Sequence, residues 1–208
     1  MNPWIDLTVL IDEFYQVFPG DELIVLKDLK TIEKDKYHIK QITTNMHVGT
    51  HLDTKKHVFK DGDSLETIDF SKFIGLAYVI KPIIINNIIQ TSSITLKTGD
   101  SISILILDLD WAKYLNTDKY YSYPKFQKNI LELLKKHNIQ VLGLDIPSPE
   151  YENENFLQMH RDLLGNDIFI IENLTNLKKL NKIVDFIGLP LKIKGMDASI
   201  LRCVAKNH

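Results

Sequence analysis

The chain has 208 residues, enough for one domain with a sizeable core, and residues 1–208 are read as a single unit. Its 44% hydrophobic and 25% charged content is ordinary for a globular protein, and a formal net charge of −2 gives no electrostatic basis for binding nucleic acid or an anionic membrane. Cys203 is the only cysteine, so no intrachain disulfide can form, and a reducing, cytoplasmic setting is expected. Met1–Asp12 has no basic segment before an apolar core, which argues against a signal peptide. No apolar run approaches the ~20 residues of a membrane span.

In chain order, Ile5–Leu10 reads as a first strand and Phe18-Pro19-Gly20-Asp21 as a turn, with Pro presetting φ and Gly tolerating a positive one. Glu22–Leu29 and Tyr37–Thr44 read as strands, the second leading into His47-Val-Gly-Thr-His-Leu-Asp-Thr-Lys-Lys-His57. Three of the seven histidines and one aspartate fall within these eleven residues. Imidazole and carboxylate are donors that zinc, manganese and iron all accept.

A regular helix would separate Asp53 from His51 by roughly 200° at about 100° per residue. A straight strand would hold His47 and His51 roughly 13 Å apart at ~3.3 Å per residue, too far to share an ion. A bend is therefore required, and Gly49 is the residue able to supply it. The pattern predicts a strand kinked at Gly49, with His51 and Asp53 converging on a metal.

Leu76–Ile80 and Ile102–Leu107 read as buried strands. Pro124–His137 carries the helical stripe Phe126, Ile130, Leu133, Leu134, with Lys135, Lys136 and a surface His137 at its negative end. Val141–Leu144 reads as a strand, Phe156–Leu164 as a helix stopped by Gly165, and Ile168–Ile171 as a strand ending in Glu172. Leu189–Lys194 and Ser199–Ala205 read as closing strands. The expected class is α/β, a β-rich mixed sheet with few helices. Taken alone, His160 reads as an exposed helix residue and Glu172 as a salt-bridging or capping group.

Several ordered motifs now resemble the cyclase-like metal-dependent hydrolase family, which includes bacterial kynurenine formamidase. His47-Val-Gly49-Thr50-His51-Leu-Asp53-Thr-Lys55-Lys-His57 resembles its His-x-Gly-Thr-His-x-Asp-x-Pro-x-His motif. Ile5-Asp6-Leu7-Thr8, Pro19-Gly20-Asp21, Gly143–Ser148, His160 with Glu172-Asn173-Leu174, Leu189-Pro190-Leu191 and Gly195–Ser199 resemble its other signatures in order.

The resemblance implies a swivelling β/α/β fold. It implies that His47, His51 and Asp53 bind one divalent ion, and that His160 and Glu172 hold a second with Asp53 bridging. The metal would be zinc first and manganese second, and His57 would be the catalytic acid/base. The reaction implied is hydrolysis of a small amide by a metal-bound hydroxide. The leading form is arylformamidase, converting N-formylkynurenine to kynurenine and formate in tryptophan catabolism. The alternatives are a cyclic-amide hydrolase of the isatin-hydrolase kind and a non-catalytic metal- or ligand-binding protein. A homodimer is implied as well.

Three departures bear on the substrate. Lys55 stands where the motif has Pro, which raises the hypothesis that Lys55 or Lys56 binds a substrate carboxylate. Phe18 stands where kynurenine formamidases tend to carry Trp, so it is the candidate substrate-stacking residue. Leu109-Asp110-Trp111 stands where the family has Thr-Gly-Trp.

Overall fold

The computed structural model describes residues 4–97 and 102–208, so the start of the Met1–Asp12 reading lies outside the described residues. The N-terminal half contains β1 (Ile5–Asp6), β2 (Val25–Lys30), the one-turn helix α1 (Ile32–Asp35), β3 (Ile39–Thr43) and β4 (His51–Asp53). Next come β5 (Ile74–Ile80), β6 (Ile84–Ile85), β7 (Ile88–Ile89), β8 (Ile104–Leu107) and β9 (Lys125–Phe126). Helix α2 (Ile130–Lys136), β10 (Val141–Leu144), helix α3 (Gln158–Gly165), β11 (Phe169–Glu172), β12 (Ile183–Pro190) and β13 (Ala198–Asn207) complete the chain.

Eight strands form one sheet in the order β1-β13-β12-β5-β8-β10-β11-β4, and a further β13–β4 pairing closes seven of them into a ring. Strands β5, β8, β10 and β11 run parallel, whereas β4, β12 and β13 join antiparallel. The expected class, a β-rich mixed α/β sheet with few helices, is the one observed.

Strand alternation explains the layering. Ile104 and Ile106 of β8 pack with Leu52, Ala77, Val141, Ile171, Phe186 and Cys203 in a cluster that draws on every ring strand, so this is the barrel interior. Leu105 and Leu107 point the other way and pack with Ile130 and Leu134 of α2 and with Met159 and Leu163 of α3. Both faces of β8 and β10 are buried, which is why these strands read as continuous apolar runs.

Several boundaries differ from expectation. The helix expected from Pro124 begins only at Ile130, because Phe126 is drawn into a parallel pairing with Ile89 of β7. The strand expected over Leu189–Lys194 ends at Pro190 and extends back to Ile183. Ile183–Ile187 pairs with β5 there, and Ile183–Pro190 alternates between inward and outward positions. The first strand is cut to Ile5–Asp6, with only an isolated bridge from Thr8 to Leu174 beyond it.

Strands β2 and β3 form a separate hairpin whose Val25, Leu29, Ile39 and Ile42 are exposed. Among the described residues no helix is long and apolar enough to cross a membrane.

Candidate metal centre

The site is built on β4. Leu52 is fully buried in the barrel interior, so its neighbours His51 and Asp53 both face outward, toward the layer that holds α3. Antiparallel pairing with β11 sets Glu172 opposite His51 and Ile170 opposite Asp53. On the other edge β13 sets Ala198 opposite Asp53 and Ile200 opposite His51. Register alone therefore brings a carboxylate from residue 172 beside the histidine segment.

Before β4 the chain bends sharply, as the spacing of the histidines requires. Gly49 has φ of +65°, and a Cβ there would lie 2.8 Å from Ile11 Cδ1. Its conformation favours glycine, and a side chain there would require Ile11 to move. The Gly49 carbonyl accepts hydrogen bonds from His51 Nδ1 at 2.9 Å and from Asn173 Nδ2 at 2.9 Å. A carbonyl can only accept, so His51 Nδ1 carries a proton and Nε2 is turned to the site. Thr50 ties the bend down, accepting from Val9 N at 3.0 Å and donating to the Asn173 carbonyl at 2.6 Å.

The donors converge. His51 Nε2 lies 3.2 Å from Glu172 Oε2 and 3.4 Å from Asp53 Oδ1. His47 Nδ1 lies 3.0 Å from Asp53 Oδ1, and His160 Nε2 lies 3.1 Å from Glu172 Oε1 and 3.6 Å from Asp53 Oδ2. His160, expected in isolation to be an exposed helix residue, is buried on α3 and aimed inward. His57 ends a short 3-10 turn, Lys55–His57, with its ring centroid 4.1 Å from that of His47 and 5.8 Å from that of His160. All six residues singled out as metal donors or acid/base thus meet in one place.

Two trios have one donor atom each within 4.8 Å of one another: His47, Asp53 and His57, and His51, Asp53 and Glu172. Asp53 belongs to both. The grouping differs from the expected one, which put His47 with His51 and set His57 apart.

Electrostatics sharpen the picture. Burial disfavours charge on His47, but Asp197 and Asp53 on its two sides raise its pKa to about 9. Burial likewise opposes protonation of His51, and Asp53 with Glu172 overcomes this and holds its pKa well above the ordinary value. Burial would raise Asp53, yet His47 and His51 pull it well below the usual carboxylate range. Even so, His51 Nε2 and both oxygens of Asp53 are buried without a hydrogen bond. Buried polar atoms almost always find a hydrogen-bond partner, so imidazole and carboxylate atoms that crowd one another without making one fit a cation between them. No nitrogen–oxygen set of this kind selects one metal over its neighbours.

Asp197 is the site residue that the histidine spacing does not reveal. Its Oδ2 accepts from His47 Nε2 at 3.1 Å and lies 3.8 Å from His57 Nδ1, and these imidazoles keep its carboxyl far below the usual range. It lies within Gly195–Ser199, a stretch legible as a motif but not as a partner of His47. Its carbonyl also accepts from Thr54 N and Thr54 Oγ1, which fixes the start of the His57 turn.

A cavity of about 420 Å³ opens beside the cluster, lined by Phe18, Pro19, Gly20, Asp21, Asn45, His47, His57, Pro147, Ser148, Phe156, Leu157 and His160. Phe18 stacks near Phe156, with ring centroids 6.2 Å apart, and meets Tyr121 edge-on. Lys55 is not in this wall: its Nζ lies 2.7 Å from Asp167 Oδ1, in a different depression.

A sheet closed in this way, with paired histidine and carboxylate donors on its outer face, defines the class of cyclase-like metal-dependent hydrolases. The Cyclase family model, described as "Putative cyclase", matches residues 5–151, and the chain belongs to this family. It is 27% identical over 208 residues to the kynurenine formamidase of Geobacillus thermodenitrificans, covering 99% of this chain and 98% of that one. It is 32% identical over 213 residues to an uncharacterised protein of Methanocaldococcus jannaschii, covering 97% of each. Its fold matches isatin hydrolase A from Labrenzia aggregata with a TM-score of 0.84 at 20% identity, covering 99% of this chain and 93% of that one.

Proposed function

We propose that this protein is a metal-dependent amidohydrolase, working as one catalytic unit over residues 1–208. Its first substrate reading is an arylformamide, with N-formylkynurenine going to kynurenine and formate in tryptophan catabolism. The observation that carries the metal-dependent reading is the set of buried His51 and Asp53 atoms that make no hydrogen bond yet crowd the donors of Glu172, His160 and His47. The curated relatives named kynurenine formamidase support the substrate class.

In this reading His47, His51, Asp53, His160 and Glu172 would hold two divalent ions, zinc first and manganese second, with Asp53 shared. When bound, such ions polarise a carbonyl and lower the pKa of a water toward ~7. His57 is partly exposed at the cavity wall, where it can take the proton of the attacking water and return it to the leaving nitrogen. Asp197 orients the His47 and His57 rings. Phe18 offers an aromatic face to the aryl group of the substrate, and Phe156 lies against it.

Ring opening of a cyclic aryl amide is the second reading. It uses the same groups, and the likeness to isatin hydrolases in fold together with the aromatic pair supports it. Metal analysis followed by hydrolysis assays on N-formylkynurenine, isatin and formanilide tests both readings against a protein that only binds metal.

The exposed apolar residues of the β2–β3 hairpin support a homodimer contact, since an isolated hairpin is marginal in water. Sedimentation at several concentrations tests that assignment. A cytoplasmic location completes the proposal.

A further inference from the structure

We propose that Asp21 is a specificity residue that draws a protonated amine of the substrate into the cavity beside the histidine cluster. The inference rests on the amidohydrolase reading for its substrate, but its binding arm can be tested without turnover.

The Phe18–Asp21 turn closes with a hydrogen bond from Asp21 N to the Phe18 carbonyl at 3.0 Å, and Gly20 supplies the φ of +100° that the turn needs. Phe18 and Asp21 therefore reach the same cavity from one rigid turn. Asn45 donates from Nδ2 to Asp21 Oδ2 at 3.2 Å, while its own Oδ1 accepts from His47 N at 2.9 Å. One amide thus positions the carboxylate relative to the backbone of a proposed metal ligand.

Among the described residues Asp21 makes no ion pair and no Lys or Arg lines the cavity, while the His47 imidazole in its wall is already paired with Asp53 and Asp197. Lys55, the cation suggested by sequence for a substrate carboxylate, is engaged by Asp167 elsewhere. An acidic group in an aromatic wall of Phe18 and Phe156 is suited to an ammonium, through a charge-assisted hydrogen bond and through the ring faces. A substrate carboxylate brought to the same place would meet like charge. Arylformamides carrying an aminoalkyl chain are therefore favoured over neutral ones.

The experiment has two arms on the metal-loaded protein. Calorimetry compares phenethylamine with neutral 2-phenylethanol as ligands of the cavity, while hydrolysis of neutral formanilide is followed in parallel. The proposal expects phenethylamine to bind at least about tenfold more tightly, the size of one charge-assisted hydrogen bond. Asp21→Asn should erase that preference and Asp21→Lys should reverse it, with folding of both checked by circular dichroism. Equal binding of the two ligands, or an amine preference that survives both substitutions, overturns the role of Asp21. Absence of hydrolysis of formanilide, N-formylkynurenine and isatin alike overturns the amidohydrolase reading and leaves the binding result to decide on Asp21 by itself.

Discussion

Glu172 lies directly opposite His51 across the β4–β11 ladder, with its Oε2 3.2 Å from His51 Nε2. The pair is 121 residues apart in sequence, and strand register rather than any local motif brings it together. Burial of both groups makes the arrangement costly unless charge is balanced at the site.

His51→Ala should therefore act twice. It removes a proposed metal ligand, so metal content should fall sharply on inductively coupled plasma analysis. It also leaves Asp53 and Glu172 without the imidazole between them, so the metal-free variant should lose about 3–5 kcal/mol in urea unfolding, the usual cost of breaking a buried charged pair.

His57→Ala should behave differently. His57 is partly exposed and stands at the cavity wall, and the remaining five donors are untouched. Metal content should stay near the wild-type level while kcat falls by about 10²–10⁴, the usual contribution of a general acid–base group. Loss of metal in this variant would instead make His57 a ligand, in keeping with its place beside His47 and Asp53.

Gly49→Ala tests the bend. A side chain there combines the left-handed φ of +65° with a 2.8 Å contact to Ile11, whereas a Cβ at Gly20, where φ is +100°, would meet nothing within 4 Å. Gly49→Ala should cost more than the ~1–2 kcal/mol of conformational strain alone and should weaken metal binding. Gly20→Ala should cost only the strain. Equal losses in chemical denaturation would show that Ile11 yields freely.

Lys55→Ala should leave KM for carboxylated substrates unchanged within twofold, because its ammonium faces Asp167 and not the cavity. Its pair with a largely exposed Asp167 is worth at most about 1 kcal/mol. A rise in KM confined to acidic substrates would restore the sequence-based hypothesis that Lys55 reads a substrate carboxylate.

Metal addition should stabilise the folded chain, since the buried atoms of His51 and Asp53 that make no hydrogen bond gain a cation to coordinate. At a hundredfold excess over Kd the gain is about 2.7 kcal/mol, or roughly 5–10 °C in Tm for a chain of this size. Differential scanning fluorimetry with zinc, manganese and magnesium reads this directly, and magnesium should do least.

Much of the site was legible in sequence because its donors are local. His47, His51, Asp53 and His57 stand close together, and their spacing already demanded the bend that Gly49 supplies. Glu172 and His160 were reachable only through family resemblance, because their approach depends on register and on the face of α3. Asp197 was hidden for the same reason: it meets His47 across 150 residues. In the fold, the buried runs of β8 and β10 announced themselves, since both of their faces are covered. Phe126 misled because its place in the helical stripe was overridden by pairing with Ile89. The strand expected at Leu189–Lys194 lies earlier because Ile183–Ile187 pairs with β5 and Val184–Pro190 with β13, pairings that depend on distant segments.

The most direct test of the central claim is kcat/KM for formanilide and N-formylkynurenine, measured on chelator-treated protein before and after titration with zinc or manganese. The account predicts negligible hydrolysis without metal and full recovery as the five-donor site fills. Hydrolysis unchanged by chelation, with metal absent on elemental analysis, would contradict it.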